Sequence, residues 1–333
     1  MNVRPFALDL HEPLATAAGE ISVRSGFLVT VDDGGERGVG EACPLAGWTE
    51  PYDECRTALT GATPADTDTL PPAARHGVAL ARLDAGARAE GIPLYRHLGR
   101  DARVETVPVN ATVGDADPAT TRERVTDAVT DGYGCVKLKI ANRPLDADLD
   151  RIRAARDAAP DVDIRLDANG GWTRDTATLA FERLEPFDIS YVEQPLSAGD
   201  LDGLAMLPDT GVDIALDEGL YEHGIDAALN ADIDWLVLKP MALGGPDAAV
   251  ELAGLARGAG VDPVVTTTID GPIARTAAVH VAAAIPDVSA CGLATGSLLA
   301  TDSLPDPAPV DDGVVAVPQK EGNTPAVLPA DYA

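Results

Sequence analysis

The chain has 333 residues, 45% of them hydrophobic, and its 54 acidic residues against 25 basic ones give a formal net charge of −29. This length predicts two domains, or one large α/β barrel with an addition. The hydrophobic fraction argues against global disorder. The negative charge argues against binding to nucleic acid or to an anionic membrane.

Lysine is almost missing from the chain. Arginine supplies 21 of the basic residues, and lysine occurs only at Lys137, Lys139, Lys239 and Lys320. An acidic surface with so little lysine is typical of a halophile's cytoplasmic protein, because salt screens the repulsion between its charges. We therefore expect a halophilic protein.

The cysteines and the N-terminus point to the cytoplasm. No C-x-x-C pair occurs, and we expect reduced, structural thiols at Cys43, Cys55, Cys135 and Cys291. The sequence MNVRPFALDLHEPL has no apolar signal region, and no apolar run approaches the roughly 18 residues of a membrane span.

The first hundred residues differ in pattern from the rest. The segments ISVRSGFLVTVDD and GVGEA predict short antiparallel strands joined by glycine-rich turns. The stretch ARHGVALARLDAGARAEG has apolar residues at helical spacing, and GIPLYRHLG ends it. We predict a small α+β domain over residues 1–103.

From Val104 onwards, β-branched runs alternate with amphipathic helical segments. Eight strands at a repeat of roughly 25 residues favour an α/β fold of the (β/α)-barrel type over residues 104–300. Motifs of nucleotide-binding folds are missing. The tail, residues 301–333, contains GVVAVP, which predicts a strand returning to the N-terminal domain. The eight runs are TVPVNATV, GCVKLKI, VDIRLD, DISYVE, VDIALD, DWLVLK, DPVVTTT and SACGLATG.

Charged residues stand at the ends of five successive predicted strands. In a barrel these ends meet at one rim, where catalytic residues lie. A single acidic residue at a strand end is more often a helix cap. Five charged residues at the ends of five successive strands are not explained that way. The steps between them are 28, 26, 24 and 22 residues, and the residues are Lys139 (with Lys137 on the same side of its strand), Asp167, Glu193, Asp217 and Lys239.

This combination favours one kind of chemistry. Three carboxylates without histidine or thiol suit Mg²⁺, with Mn²⁺ second. A lysine near other cations can lose its proton at neutral pH and act as a base, which arginine cannot do. The set therefore predicts removal of a proton α to a carboxylate, with the metal stabilising the enediolate.

The motifs K-x-K, D-x-N, E-Q-P and D-E, with a lysine on the sixth strand, resemble the muconate-lactonizing subgroup of the enolase superfamily. The resemblance covers nearly the whole chain, and PLATAAGEISVRSGFLVTV and GVGEACPLAGWTEPYDE look like that family's capping domain. It implies a (β/α)7β-type TIM-like barrel with an N-terminal α+β capping domain completed by the C-terminal tail.

The resemblance also assigns roles to the rim residues. It implies that Asp167, Glu193 and Asp217 bind Mg²⁺ and that Lys139 is the base, assisted electrostatically by Lys137. Lys239 would lie on the opposite face of the substrate, as a second acid/base or as a cation that stabilises the enediolate.

Within the subgroup the sequence is most similar to o-succinylbenzoate synthases. This resemblance implies a lyase that dehydrates 2-succinyl-6-hydroxy-2,4-cyclohexadiene-1-carboxylate to 2-succinylbenzoate in menaquinone biosynthesis. It rests on Arg165 two positions before the metal aspartate and on the segments TTTIDGPIARTAAVH and ACGLATG. The substrate contacts expected are Arg165, Asn169, Thr267, Gly292 and Leu293, and the helix N-terminus near Gly271 is a further site for a carboxylate.

Other activities use the same frame. N-succinylamino acid racemase and muconate cycloisomerase remain alternatives. Dipeptide epimerases commonly carry Asp-x-Asp at the end of the eighth strand, where residues 291–295 read CGLAT. A non-catalytic binding barrel would be expected to have lost a lysine or a ligand. Substrate choice is expected to depend on the loops Glu12–Arg24 and Leu45–Asp53. We expect a small carboxylate as substrate. The sequence leaves the oligomeric state open, and a homo-oligomer is one option because superfamily members are often dimers or octamers.

Overall fold

The computed structural model describes residues 1–16, 19–300 and 306–323, so parts of the predicted tail lie outside the described residues. The chain begins with an antiparallel sheet whose order is β1-β2-β3. The β1–β2 pairing is antiparallel, as predicted for ISVRSGFLVTVDD, but the prediction of short strands is wrong here because both strands run for 15 residues. The strands are β1 (Asn2–Thr16), β2 (Gly19–Asp33) and β3 (Glu36–Ala42).

Helices cover one face of this sheet. Close packing of helix α2 on β3 requires glycine, because a Cβ at Gly40 would lie 2.0 Å from the carbonyl oxygen of Gly77. The core beneath the helices also takes in Met241 and Ile273 from the barrel, so the capping domain is packed onto it. The helices are α1 (Tyr52–Gly61), a 3₁₀ turn (Pro64–Thr69), α2 (Pro72–Glu90) and α3 (Leu94–His97).

A curled parallel sheet of seven strands, β5 to β11 in chain order, forms the barrel. Its gap is closed by Cys291, which bridges to Val109, and by Gly292, which bridges to Thr266. The eighth predicted strand is therefore reduced to two bridging residues. The short strand β4 (Thr106–Pro108) precedes this sheet and is not part of it. The strands of the sheet are β5 (Ala111–Val113), β6 (Cys135–Lys139), β7 (Asp163–Asp167), β8 (Ile189–Glu193), β9 (Asp213–Leu216), β10 (Trp235–Leu238) and β11 (Asp262–Val265).

Helices follow the barrel strands and bury their apolar faces against them, as the alternating pattern predicts. With the capping domain in place, the structure confirms the predicted fold class. The helices are α4 (Pro118–Thr130), α5 (Leu145–Ala158), α6 (Arg174–Leu184), α7 (Leu201–Leu204), α8 (Glu218–His223), α9 (Ile225–Leu229), α10 (Pro240–Leu243), α11 (Pro246–Gly258) and α12 (Pro272–Ala284), with 3₁₀ turns at Glu185–Phe187 and Gly296–Leu298.

The C-terminal segment touches both parts of the molecule. A hairpin of β12 (Val310–Asp311) and β13 (Val314–Ala316) pairs with β4. Further on, the carbonyl of Gly322 accepts from the amide of Leu94, and the amide of Asn323 donates to Asp84. The division into residues 1–103, 104–300 and 301–333 stays a prediction.

Two further sequence expectations concern the whole chain. All four cysteines are buried and free, as expected. None of the helices within residues 1–16, 19–300 and 306–323 is long and apolar enough to cross a membrane.

Candidate active site

The predicted rim residues meet at the carboxyl end of the barrel. Lys139 is paired in register with Asp167, and Asp167 with Glu193, across the neighbouring strands β6, β7 and β8. Asp217 and Lys239 directly follow β9 and β10. The three carboxylates are almost fully buried, so charge has been concentrated where burial is costly, which is typical of a functional site.

Lys137 lies between two of the carboxylates. Its Nζ is 2.9 Å from Oδ2 of Asp167 and 3.1 Å from both carboxylate oxygens of Glu193. Burial opposes the charge on this ammonium, but the two carboxylates outweigh it and raise the pKa of Lys137 well above its ordinary value. In this arrangement Lys137 is a fixed positive charge.

Lys139 shares Asp167 with Lys137 but is more open to solvent. Its Nζ lies 2.6 Å from Oδ2 of Asp167 and 2.8 Å from Oδ1 of Asn169. Its side chain is 32% exposed, against 12% for Lys137. The lysine that is expected to act as the base is thus the more accessible of the two.

Lys239 faces the rim from the far side, with β7, β8 and β9 between its strand and that of Lys139. Its Nζ contacts the carboxylate of Asp217 and lies 3.7 Å from the ring centroid of Trp48, over the ring face. Trp48 in turn meets Tyr221 edge to face, and the hydroxyl of Tyr221 accepts from the backbone amide of Lys239.

The three carboxylates respond differently to these surroundings. Burial, reinforced by the neighbouring Asp167, raises the pKa of Glu193 to about 7. Burial also raises the pKa of Asp217 to about 6, against the lowering effect of Lys239. For Asp167, Lys137 and Lys139 together outweigh burial and lower the pKa. Carboxylates that repel one another in a buried site favour a binding partner of high positive charge.

The donor set fits a hard divalent cation. Three buried carboxylates from adjacent strands supply only oxygen ligands, the kind that Mg²⁺ prefers. No three acidic, histidine or cysteine side chains among the described residues are already gathered as a ligand set. The ammonium groups of the rim lysines lie against these carboxylates.

Two further polar residues of the rim lie inside motifs that the sequence singled out, although it gave neither a role. Gln194 of E-Q-P receives the backbone amides of Asp217 and Gly219 on its Oε1, and so fixes the start of α8. Glu218 of D-E accepts from Asn169 through Oε1, while its buried Oε2 has no hydrogen-bond partner. Trp48 carries no local signal, because only the folded chain brings it to Lys239.

Several predicted substrate contacts are engaged by the protein itself. Arg165 lies one alternate position below Asp167 and donates to the carbonyl of Ala290 and the hydroxyl of Ser289. Gly292 bridges to Thr266, and Leu293 is fully buried. Asn169 and Thr267 do lie at the rim, where Asn169 contacts Lys139 and the hydroxyl of Thr267 lies 3.1 Å from that of Thr295.

The helix N-terminus near Gly271 is already occupied. Glu41 of the capping domain accepts from the amides of Gly271, Ile273 and Ala274 at 2.7 to 3.1 Å. The sequence-based expectation that this N-terminus holds a substrate carboxylate is therefore wrong for this structure, since a carboxylate of the chain takes that position.

Comparison with known proteins agrees with this geometry. The family description "Enolase C-terminal domain-like" matches residues 120–324. An o-succinylbenzoate synthase of Thermobifida fusca is 36% identical over 220 residues, 64% of this chain and 67% of that protein. A hydrophobic dipeptide epimerase of Enterococcus faecalis is 27% identical over 318 residues, 88% of this chain and 89% of that protein.

Among solved structures, a dipeptide epimerase from Methylococcus capsulatus superposes with a TM-score of 0.85. It is 26% identical, and the match covers 97% of this chain and 98% of that one. That structure is described as complexed with Mg and the dipeptide L-Arg-D-Lys. The similarity thus extends through both the capping domain and the barrel.

Proposed function

The chain belongs to the enolase superfamily, and from that premise we propose that it is a Mg²⁺-dependent enzyme that removes a proton α to a carboxylate. The observation that carries the proposal is the rim itself. Lys137 and Lys139 stand on one side of three buried carboxylates and Lys239 on the other. A binding protein would have no need of a titratable lysine on each side of its ligand.

Each residue has a distinct task in this proposal. Asp167, Glu193 and Asp217 hold Mg²⁺, which when bound supplies Lewis-acid stabilisation of the negative charge that develops on the substrate carboxylate. Lys139 accepts the α-proton at its Nζ. Lys137 keeps a positive charge beside the carboxylates.

We propose o-succinylbenzoate synthase as the reaction. Lys139 takes the ring proton α to the carboxylate, the electron pair forms the new ring double bond, and the hydroxyl departs as water with the proton that Lys139 has taken. Lys239 then serves as a cation on the opposite face. The o-succinylbenzoate synthase of Thermobifida fusca, at 36% identity, supports this choice, as does the lack of an acidic residue in the segment 291–295.

Epimerisation or racemisation is the second candidate, because the dipeptide epimerase of Enterococcus faecalis matches along 88% of the chain. Lys139 and Lys239 would then exchange protons on opposite faces of one carbon. N-succinylamino acids are the substrates most compatible with residues 291–295, since no acid there could receive a free ammonium group.

A single substrate panel distinguishes these reactions. Purified protein in concentrated salt with Mg²⁺ is given the cyclohexadiene carboxylate, N-succinyl-L-amino acids and L,L-dipeptides in D₂O. Aromatic product supports the synthase. Deuterium at Cα with loss of optical rotation of an N-succinylamino acid supports the racemase, and deuterium at Cα with formation of a diastereomeric dipeptide supports the epimerase. Neither product nor α-deuterium with any of them, in protein that binds Mg²⁺, would contradict the proposal.

A further inference from the structure

The loop between β11 and α12, residues 266–271, contains a backbone conformation that its sequence does not favour. Ile269 has a φ of 60°. A β-branched residue in the left-handed region is a true outlier, because its side chain crowds the backbone. Such strain persists only where surrounding structure enforces it, and it is concentrated at functional sites.

Left-handed residues also occur in other loops of the rim. Ala141 comes two residues after Lys139 with a φ of 69°, and Asn169 comes two residues after Asp167 with a φ of 43°. Ile269 stands further along its loop, four residues after β11 ends at Val265. Left-handed bends thus recur in loops at the carboxyl end of the barrel, and Ile269 places one in the loop that carries Thr267.

The capping domain holds the bend from one side through Arg24. Its Nε donates to the carbonyl of Ile269 at 2.9 Å. The same guanidinium donates to the carbonyls of Cys43 and Pro44 at 2.9 and 3.2 Å. Arg24 is 3% exposed, so the strained carbonyl is tied to the capping domain by a buried, three-pronged contact.

Glu41 holds the other end of the loop. Its carboxylate spans the amides of Gly271, Ile273 and Ala274, and a Cβ at Gly271 would lie 2.7 to 2.9 Å from its atoms. Between the two anchors, Asp270 contacts Thr268. The loop is thus fixed by one arginine and one glutamate side chain, both from the sheet of the other domain.

The bend connects these anchors to the rim. The amide of Ile269 donates to Oγ1 of Thr267 at 3.3 Å, and that oxygen lies 3.1 Å from Oγ1 of Thr295. Releasing Ile269 into an ordinary conformation would turn its amide away and free the Thr267 hydroxyl to rotate. The side chain of Ile269 is only half-buried, so packing does not explain why this residue stays bent.

We propose that Arg24 and Glu41 are positioning residues, which hold Ile269 in its strained conformation so that Thr267 keeps its place at the active-site rim. The capping domain thereby influences the substrate site through residues 266–271 of the barrel, to which Arg24 and Glu41 bond. Any contact of its own loops with substrate is additional. The effect on turnover rests on the proposed function, whereas the effect on the loop does not.

The test combines Arg24→Lys with Ile269→Asn. Lysine loses the fork that reaches three carbonyls, and asparagine adopts the left-handed region more readily than isoleucine, as Asn169 already does in this chain. We expect Arg24→Lys to raise amide hydrogen exchange in residues 266–271 about tenfold and KM about tenfold, with kcat changed less than about threefold. Adding Ile269→Asn should restore both to within about threefold of wild type.

Arg37→Lys is the matched control, because Arg37 lies in the same sheet but is exposed and pairs only with Asp32 in the described contacts. Glu41→Gln is the second variant and should raise loop exchange in the same way. Exchange and KM unchanged in Arg24→Lys, or no restoration by Ile269→Asn, would overturn the proposal. Altered loop exchange in a protein that turns over no panel substrate would leave the positioning role standing and reject the proposed function alone.

Discussion

The rim of the barrel and its interior both contain buried cations, but they use different residues. At the rim, lysine ammonium groups meet carboxylates. Below and beside the rim, guanidinium groups that are 1% exposed each pair with a carboxylate and also donate to fixed backbone carbonyls. These arginines are Arg151 on Lys139 and Gly114, Arg165 on Ala290, and Arg275 on Leu293 and Ala308.

The difference shows what each cation is suited for. A guanidinium satisfies several fixed acceptors at once and keeps its charge, whereas an ammonium is compact and can give up its proton. Arg151 illustrates the division, because it holds the backbone carbonyl of Lys139, whose side chain is the proposed base. In a chain that otherwise uses arginine, three of the four lysines stand at the rim, where the proposed chemistry needs a proton to move or a small charge to fit between carboxylates.

Replacing a rim lysine by arginine is the strongest test of the difference between the two kinds of cation. Lys139→Arg keeps the charge but removes the usable base, so we expect the rate to fall by at least about 10³-fold, or roughly 4 kcal/mol of activation free energy. Steady-state assays on the substrate identified by the panel measure it. The expected loss lies in kcat, with the unfolding midpoint little changed.

Lys320→Arg is the matched control for that variant, since Lys320 is exposed and lies far along the chain in the C-terminal segment. It should retain wild-type turnover. Near-normal turnover by Lys139→Arg would show that Lys139 is not the base, and would remove the main reason for separating rim lysines from interior arginines.

Mg²⁺ is expected to bind to the rim carboxylates that the lysines contact. Asp217→Asn removes one proposed ligand and the ion partner of Lys239, so we expect Mg²⁺ affinity to fall at least about 100-fold, measured by calorimetric titration. Asp226→Asn, at an exposed position of α9, should leave the affinity unchanged. Equal affinity in wild type and Asp217→Asn would place the metal elsewhere.

The sequence predicted the rim better than the interior, for a physical reason. Asp167, Glu193 and Asp217 follow from strand periodicity and the repeat, because the barrel brings equivalent strand ends together. Arg165 shares that periodicity, yet its side chain turns to Ser289 and Ala290 one layer below the rim. Alternation gives the side of a strand but not the depth at which a long side chain finds its partners.

The sequence alone did not predict the contacts between the two domains. Trp48 reaches Lys239, and Glu41 reaches the start of α12, across separations of about 190 and 230 residues. No local pattern encodes such a contact, since it depends on how the sheet of one domain docks on the other. For the same reason the sequence predicts a substrate carboxylate at the helix N-terminus near Gly271, where the chain supplies the carboxylate of Glu41 instead.

Replacing an interior arginine by lysine tests the same difference through the free energy of unfolding. Arg165 donates to two backbone or hydroxyl oxygens, pairs with Asp163 and stacks over Tyr191. Arg165→Lys cannot reach all of these, so we expect a loss of about 3 kcal/mol in the free energy of unfolding. Denaturant melts measure it, with exposed Arg153→Lys as the control. A loss as small as that of the control would mean that lysine serves equally well in the interior.

The smallest expected effect tests whether a titratable group away from the rim affects stability alone. Burial lowers the pKa of His280 to about 4, and its ring accepts from the amide of Tyr95 and contacts the carbonyl of Asn323. The folded protein therefore binds fewer protons than the unfolded chain between pH 6.5 and 4, and stability is lost as the pH falls through that window. Lowering the pH from 7 to 5 should cost wild type about 2 kcal/mol more than His280→Gln.

Chemical unfolding at the two pH values measures this difference, and exposed His11→Gln should behave as wild type. At pH 7 the turnover of His280→Gln should stay within about twofold of wild type wherever the variant is folded, because the ring lies against α3 and the C-terminal segment and not at the rim. A change in the pH profile of kcat instead would mean that the buried histidine exchanges protons with the active site, and proton chemistry would then no longer be confined to the lysines of the rim.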